Sequence, residues 1–292
     1  MAHANEARAL LDRSLASGRI HSAYLLSGPG EAPRREALRF ARGSVCQGPD
    51  ARPCETCASC RRSQEREPIR LDGSGKSGPL LRHIGDHPDL FFVERGESDT
   101  RVRIGQVRAL QHALRLRSSQ GGRRCAVIAD AEWLNQEAQN ALLRLLEEPP
   151  QGTTLLLVAS TSASLLATVR SRCQRVTFHP DASDLEEPER AGLVERLESL
   201  RDATLPALLD WAEEYRGGRA EAAARVEELL DTAAHWLRRR VTGQAADRRA
   251  LRGSLDAFRT LSQCRKALAQ HNANPQMVAE RALFALQAGL LP

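Results

Sequence analysis

The amino-acid sequence predicts an α/β protein with a doubly wound, mainly parallel sheet, followed by an all-helical C-terminal domain. In the first 180 residues, short runs of β-forming residues alternate with helical patterns. Because such alternation requires crossover connections, it favours parallel strands with helices on both faces. From Ala191 onward, every segment has helical periodicity. A length of 292 residues is sufficient for two or three domains.

Five apolar segments are the predicted strands: 23–26, 90–93, 125–129, 154–159 and 176–178. The predicted helices between them are 34–45, 104–116 and 135–148. The last helix has the clearest limits, because Asn135 can cap its start and Pro149 with Pro150 ends it. Together these elements predict a nucleotide-binding type of α/β domain over residues 1–179.

A change in composition predicts the second domain. Residues 180–190 are polar, contain two prolines and are interpreted as a linker. Helical patterns then follow at 191–200, 205–215, 220–241, 251–270 and 275–288. We therefore expect a helical domain over residues 191–292.

Composition and charge exclude several classes of protein. The longest apolar runs, such as residues 155–159, are far shorter than the roughly 20 residues that cross a bilayer. Charged residues such as Glu6, Arg8, Asp12 and Arg13 stand near the N-terminus, where a secretory signal would be apolar, so we expect a cytoplasmic protein with reduced cysteines. The net charge of +5 permits contact with nucleic acid, but aromatic residues make up only 4% of the chain, too few for an extended base-stacking platform.

Four cysteines within fifteen residues form the most specific motif in the chain. Cys46, Cys54, Cys57 and Cys60 are separated by seven, two and two residues. Four thiolates in a reduced protein suit a closed tetrahedral Zn²⁺ site. Since such a site has no open coordination position, the metal of this 46–60 module would be structural. A redox or incidental cysteine cluster is the alternative.

Two segments have partial similarity to a phosphate-binding loop. Residues 73–77 end in Gly-Lys-Ser, but Arg70 stands where the motif needs glycine, so we reject this segment. The turn after the first strand lies between a strand and a helix, as a phosphate loop does, yet it lacks the chemistry. Its remnants are Gly28, Pro33, Arg34 and Arg35, and the last three stand where a phosphate loop needs glycine, lysine and a magnesium-binding hydroxyl.

The third predicted strand ends in Asp130, as a Walker B strand does. Ala131 follows it, where related ATPases place the glutamate that activates water, and a methyl group cannot do this. Glu132 is displaced by one residue. A strand-end or capping role for Asp130 is the simpler alternative. We therefore expect no ATP bound by this chain and no catalytic activity of the isolated chain.

Four segments of the chain resemble the bacterial clamp-loader family of AAA+ proteins. Residues 140–149 match its signature Asn-Ala-Leu-Leu-Lys-x-Leu-Glu-Glu-Pro, with arginine in place of lysine. Residues 171–173 match its Ser-Arg-Cys motif, and the four-cysteine module is a third match. Residues 272–276 are similar to the start of the last collar helix. Within the family, the degenerate loop resembles a non-motor subunit more than the motor subunits gamma and tau.

The resemblance implies an AAA+ core, a zinc module, a C-terminal collar and a place in the DNA polymerase III holoenzyme, a DNA-directed nucleotidyltransferase. Implied partners are the motor subunits gamma or tau and the delta subunit, with the sliding clamp and primer-template DNA reached through the complex. Arg172 of the Ser-Arg-Cys motif would act as an arginine finger in a neighbouring subunit's ATP site. Ser171 and Cys173 would shape its turn, and Ser160 with Thr161 would occupy the sensor position.

Three departures from the family pattern stand beside the resemblance. The first cysteine spacing is one residue shorter than the family's, and residues 72–79 look like an insertion. A small lid domain normally follows the Ser-Arg-Cys strand, whereas only residues 180–190 precede the next predicted helix, so the lid is expected to be shortened or absent.

Two rival functions remain open from the sequence. An ATP-binding clamp-loader ATPase of the gamma or tau type would require Arg34 to replace the phosphate-binding lysine and another acid to replace the missing glutamate. A zinc-dependent nucleic-acid-binding module would use the cysteines, but they lack basic and aromatic surroundings.

Overall fold

The computed structural model describes residues 2–49, 51–64, 66–67, 69–96, 99–119, 122–178, 188–243, 248–270 and 273–290. The chain divides into two compact units, Met1–His179 and Pro180–Pro292. Within the described ranges, no helix is both long enough and apolar enough to cross a membrane.

The first unit is built around one six-stranded sheet. Its strands are β1 (Ala23–Ser27), β2 (Arg82–His83), β3 (Leu90–Val93), β4 (Arg124–Ile128), β5 (Thr153–Ala159) and β6 (Gln174–Thr177), in the order β2-β3-β4-β5-β1-β6. All neighbours are parallel except β2 and β3, which are antiparallel. The helices are α1 (Ala2–Ser17), α2 (Ala32–Ser44), α3 (Ala58–Arg62), α4 (Ile104–Arg115), α5 (Gln136–Glu147) and α6 (Ala167–Arg170).

Burial explains why the central strands are continuous apolar runs. Every residue of β1, β3, β4 and β5 is buried, as expected when helices cover both faces of a parallel sheet. On one face, Tyr24 and Phe92 pack with Phe40 of α2 in a core that also includes Leu11 and Leu15 of α1. Helix α2 is therefore fixed against the sheet next to the end of β1.

Strand order determines where the polar ends of the strands meet. Strand β1 lies between β5 and β6, and the turn after β1 leads directly into α2. Asp130 follows β4 and Ser160 follows β5, so both lie at the same carboxyl edge as the turn after β1. In open α/β sheets, this edge at the change of strand order is the usual ligand-binding position.

The second unit, as far as it is described, is helical. It contains α7 (Pro188–Glu198), α8 (Leu205–Glu213), α9 (Arg219–Gly243), α10 (Arg248–Gln270) and α11 (Pro275–Leu290). Helices α10 and α11 approach closely at two glycines: a Cβ atom at Gly253 would lie 2.7 Å from the carbonyl oxygen of Gly289. Both positions therefore exclude a side chain without a shift of backbone.

The predicted strands and helices are present with limits that differ by at most three residues, and the earlier start of one helix has a physical reason. Helix α7 begins at Pro188 and not at 191, because proline suits the first turn of a helix; the predicted linker over 180–190 is thus helical in its last three residues, and residues 179–187 lie outside the described chain. Helix α1, the short helices α3 and α6, and the two-residue strand β2 were not predicted.

Candidate functional site

The turn between β1 and α2 packs closely against the residues that end β5 and follow β6. The Gly28 amide donates to the Ala159 carbonyl at 3.1 Å. A Cβ atom at Gly28 would lie 2.5 Å from the Phe178 carbonyl oxygen, so this glycine is required by close packing against the end of β6. Pro33 lies buried in the first turn of α2, where it removes one of the amides that could bind phosphate.

Arg34 is held by acidic partners at this turn. Its Nη2 atom lies 2.6 Å from Oε2 of Glu94, and Arg82 bonds the other carboxylate oxygen at 3.1 Å. Both guanidinium groups lie over the Phe92 ring, at 5.2 and 4.1 Å from its centroid. Burial alone would lower the pKa of Arg34, but the charges of Glu94 and Asp130 raise it above its ordinary value. The guanidinium is thus permanently charged and already paired.

Asp130 is also engaged within the chain. Its Oδ2 atom accepts a hydrogen bond from the Arg95 amide at 2.9 Å, and the Arg95 Nε atom lies 3.8 Å from the same oxygen. The Arg95 guanidinium in turn lies 4.1 Å from the Trp133 ring centroid. A magnesium ion at Asp130 would therefore meet a neighbouring cation, the opposite of what a Walker B aspartate provides.

The two residues after Asp130 do not restore a catalytic acid. Ala131 is fully buried. The Glu132 carboxylate accepts hydrogen bonds from both the amide and the hydroxyl of Ser160, the predicted sensor residue. Thr161 accepts from the Ala163 amide and so caps a short 3₁₀ helix. Glu132 is consequently directed at β5, where it fixes the end of the strand.

Glu94 and Arg95 are the residues of this site that sequence reasoning missed. They follow β3, which is separated from β1 in the sheet by two strands, β4 and β5. Their partners Arg34 and Asp130 are distant in sequence, and neither pair forms a local motif. Only the order of the strands brings these four residues to one edge.

Residues 72–79 form an acid-centred turn and no phosphate loop. The Asp72 carboxylate accepts from the amides of Ser74 and Ser77 at 2.9 and 2.7 Å and from both hydroxyls. The Ser77 amide bond is the largest of the contacts that hold the pKa of Asp72 well below its usual range. A carboxylate already occupies the donors that a phosphate would need.

The four predicted metal ligands converge in space. The sulfur atoms of Cys46, Cys54, Cys57 and Cys60 all lie within 4.8 Å of one another. The Cys54 and Cys60 sulfurs are 3.9 Å apart. A tetrahedral site with metal–sulfur bonds of about 2.3 Å has sulfur–sulfur edges of about 3.8 Å, so the spacing fits a metal ion.

Backbone amides point at these sulfurs as they do at thiolate ligands. The amides of Gly48, Cys57 and Cys60 donate to the sulfurs of Cys46, Cys54 and Cys57, each at 3.4 Å. The Thr56 hydroxyl contributes most to lowering the pKa of Cys54 to about 5, whereas burial raises that of Cys60 to about 12. The donor set therefore suits a metal that replaces the thiol protons.

Arg172 lies at the amino ends of the parallel strands, whereas the β1–α2 turn lies at their carboxyl ends. It comes just before β6, at the amino end of a strand that runs parallel to β1. Its Nη1 atom donates to the Thr168 carbonyl at 2.8 Å, and Nη2 lies 2.7 Å from Oε1 of Glu147. The adjacent Ser171 hydroxyl bonds the same Thr168 carbonyl, and burial raises the pKa of Cys173 to about 12. A half-buried thiol and a hydrogen-bonded turn thus present the arginine at the surface.

Comparison with known proteins places the chain in a family. Residues 3–71 and 73–182 match the family model described as DNA polymerase III, delta subunit. The chain belongs to this family. The match covers the whole described sheet of the first unit.

Curated relatives carry related names. The chain is 33% identical to DNA polymerase III subunit delta' of Pseudomonas aeruginosa over 71% of its length and 61% of the relative. It is 30% identical to subunit delta' of Escherichia coli over 67% of the chain and 52% of the relative. Subunit tau of Escherichia coli is 29% identical over 61% of the chain and 24% of the relative. The chain thus matches between a quarter and three fifths of these relatives' own lengths.

Proposed function

We propose that the chain is a non-catalytic clamp-loader subunit of bacterial DNA polymerase III, of the delta' type, that works in the cytoplasm and supplies Arg172 as an arginine finger to a neighbouring ATPase subunit. Its partners would be the motor subunits gamma or tau and the delta subunit. The complex would load the sliding clamp on primer-template DNA. Family membership supports a place for the chain in the holoenzyme, and the arrangement of Arg172 supports its role in a neighbouring subunit's site.

The position of Arg172 carries this proposal. It precedes β6, whereas the chain's own nucleotide turn follows β1, and the two strands run parallel. Arg172 and that turn therefore lie at opposite ends of two neighbouring parallel strands. Arg172 cannot reach the nucleotide turn of its own chain. A planar cation at an exposed edge suits charge that develops on a phosphoryl group bound to another subunit.

The rival function, an ATPase with its own turnover, is opposed by the ion pairs at the first turn. Arg34 would have to leave Glu94, and magnesium would have to displace Arg95 from Asp130. Pro33 would still lack the amide that a phosphate loop uses. These contacts support a chain that holds its nucleotide fold without nucleotide.

ATP hydrolysis in a reconstituted complex tests the proposal. The chain would be combined with its motor and delta subunits, and clamp- and DNA-stimulated hydrolysis compared between the unaltered chain and Arg172→Ala. We expect an inert isolated chain, normal assembly of the variant, and hydrolysis at the neighbouring site that falls by about 10³-fold. Hydrolysis by the isolated chain, or an unchanged rate with Arg172→Ala, would contradict the role in trans.

We further propose that the cysteine cluster holds one structural Zn²⁺ ion. The four converging sulfurs supply a closed donor set, and the N–H···S bonds orient them. Zinc would tie the segment after α2 to α3. Metal analysis of purified protein is expected to give one zinc per chain, less in Cys57→Ser, and a strong chelator should lower the midpoint of thermal unfolding. A full complement of metal in Cys57→Ser would contradict the ligand set.

A further inference from the structure

The end of α5 contacts the turn that carries Arg172. Glu147 is the last residue of α5, and its carboxylate lies 2.7 Å from the Arg172 Nη2 atom. The second anchor is the Thr168 carbonyl, 2.8 Å from Nη1. Two anchors on different elements fix the plane of a guanidinium, while one anchor leaves it free to rotate. Among the residues that the structure describes, these contacts use two of its five N–H donors and leave three for another group.

Helix α5 is itself held in register with this turn. The Asn135 side chain caps its start by accepting from the Ala138 amide at 2.8 Å. Gln139, which is buried, donates to the Leu134 carbonyl at 3.0 Å and accepts from the Leu166 amide at 2.8 Å. Because Leu166 immediately precedes α6, one turn of α5 fixes the start of the segment that ends in Arg172. Glu147 fixes the other end.

We propose that Glu147 is the positioning residue for Arg172, holding the guanidinium in the orientation in which it enters a neighbouring ATP site. The inference rests on the proposed function of Arg172. Glu147 touches no nucleotide in this scheme and acts only through the arginine. The contact remains accessible to a partner subunit, since the side chains of Arg172 and Glu147 are 36% and 50% exposed.

The chain provides a matched control next to Glu147. Glu148 carries the same charge and is exposed, and its carboxylate makes no hydrogen bond or ion pair with any residue that the structure describes. Substituting either glutamate removes one negative charge from the same helix end. Only Glu147→Ala removes the side-chain anchor of Arg172 and leaves the Thr168 carbonyl alone.

Steady-state hydrolysis by the reconstituted complex separates the roles. The variants are Glu147→Ala, Glu147→Gln, Glu148→Ala, Arg172→Ala and the double variant Glu147→Ala with Arg172→Ala. We expect Glu147→Ala to lower kcat by about threefold to tenfold, the equivalent of leaving one long side chain unordered. KM for ATP should be unchanged, because a finger acts mainly in the transition state. Glu147→Gln, which keeps an acceptor, should lie between Glu147→Ala and the unaltered chain.

The remaining variants distinguish a failure of the positioning role from a failure of the proposed function. Glu148→Ala should match the unaltered chain, and the double variant should be no slower than Arg172→Ala alone. If Arg172→Ala is slow but Glu147→Ala is normal or faster, the positioning role is wrong and the finger stands. Equal losses in Glu147→Ala and Glu148→Ala, or an additional loss in the double variant, would also overturn the positioning role. If Arg172→Ala is itself normal, the proposed function fails.

Discussion

Arg34 and Arg172 are almost equally exposed, at 33% and 36% of their side chains, yet their surroundings differ. Arg34 pairs with Glu94, whose side chain is only 19% exposed and which also binds Arg82, and it stacks on Phe92. The acid that pairs with Arg172 is 50% exposed.

The difference teaches that the counter-ion decides whether an arginine is available. A pair with a desolvated carboxylate is costly to separate, because separation leaves a charge in a poorly hydrated place. A pair with a hydrated carboxylate contributes little to stability and leaves the guanidinium accessible to another anion. Arg34 is therefore bound to the chain's own acids at the nucleotide turn, whereas Arg172 can offer its remaining N–H donors to a phosphate while Glu147 holds it.

Replacing each arginine by lysine should produce the largest contrast. Lysine keeps the charge but loses the planar set of donors. In the reconstituted complex, Arg172→Lys should lower hydrolysis at the neighbouring site by at least about 100-fold. Arg34→Lys should stay within about twofold of the unaltered rate, since it touches no reacting group. Arg175→Lys, at an exposed residue three positions from Arg172, is the control. A loss of hydrolysis with Arg34→Lys as large as with Arg172→Lys would contradict the difference in role between the two arginines.

Removing the acid at the nucleotide turn should have the larger effect on stability. Glu94→Ala leaves Arg34 and Arg82 side by side without their shared partner. We expect the free energy of unfolding to fall by about 1–3 kcal/mol, less than for a fully buried pair because Arg34 is partly hydrated. Denaturant unfolding of the chain measures it, and Glu94→Gln, which keeps an acceptor, should lose less. An unchanged midpoint for Glu94→Ala would show that these arginines need no counter-ion.

Removing the acid at the opposite edge should have a smaller effect. Glu147→Ala breaks an exposed pair, and we expect a loss below about 1 kcal/mol in the same unfolding measurement. The pair should also weaken as salt is added, because exposed charges are screened. A loss equal to that of Glu94→Ala would mean that the Arg172 pair is as desolvated as the Arg34 pair.

Sequence patterns predicted the elements better than the contacts between them. Helix α5 extends over Gln136–Glu147, close to the predicted 135–148, because a capping asparagine and two prolines mark its limits locally. Helix α1 was missed although Leu11 and Leu15 have helical spacing and are buried. Its charged residues indicate that it is not a signal sequence, but they do not by themselves indicate a helix.

The ion pairs of the site could not be predicted in the same way. The sequence indicated that Arg34 stands where a phosphate loop needs lysine and that Ala131, after Asp130, stands where the catalytic glutamate is needed. It did not indicate that Glu94 and Arg95 engage this arginine and this aspartate, since these partners meet only through the order β3-β4-β5-β1 in the sheet. The loss of motif residues is visible at adjacent positions of the sequence. The contacts that replace the lost chemistry join residues that are far apart in the sequence.

Restoring the loop sequence should therefore have the smallest effect of all. The triple variant Pro33→Gly, Arg34→Lys and Arg35→Thr recreates the glycine, lysine and hydroxyl that a phosphate loop uses. We expect no ATP binding tighter than about 1 mM by titration calorimetry with Mg²⁺. Glu94 can pair with the new lysine, and Arg95 still occupies Asp130 where magnesium would be held.

Adding Arg95→Ala to the triple variant makes the test specific. This fourth change frees the Asp130 carboxylate from the guanidinium but leaves the Arg95 amide bond in place. Binding that appears only in the fourfold variant would identify Arg95 as the residue that excludes magnesium. Micromolar binding by the triple variant alone would mean that the lost loop residues, and not the internal ion pairs, keep nucleotide out, and the contrast between Arg34 and Arg172 would then have no bearing on the loss of ATP.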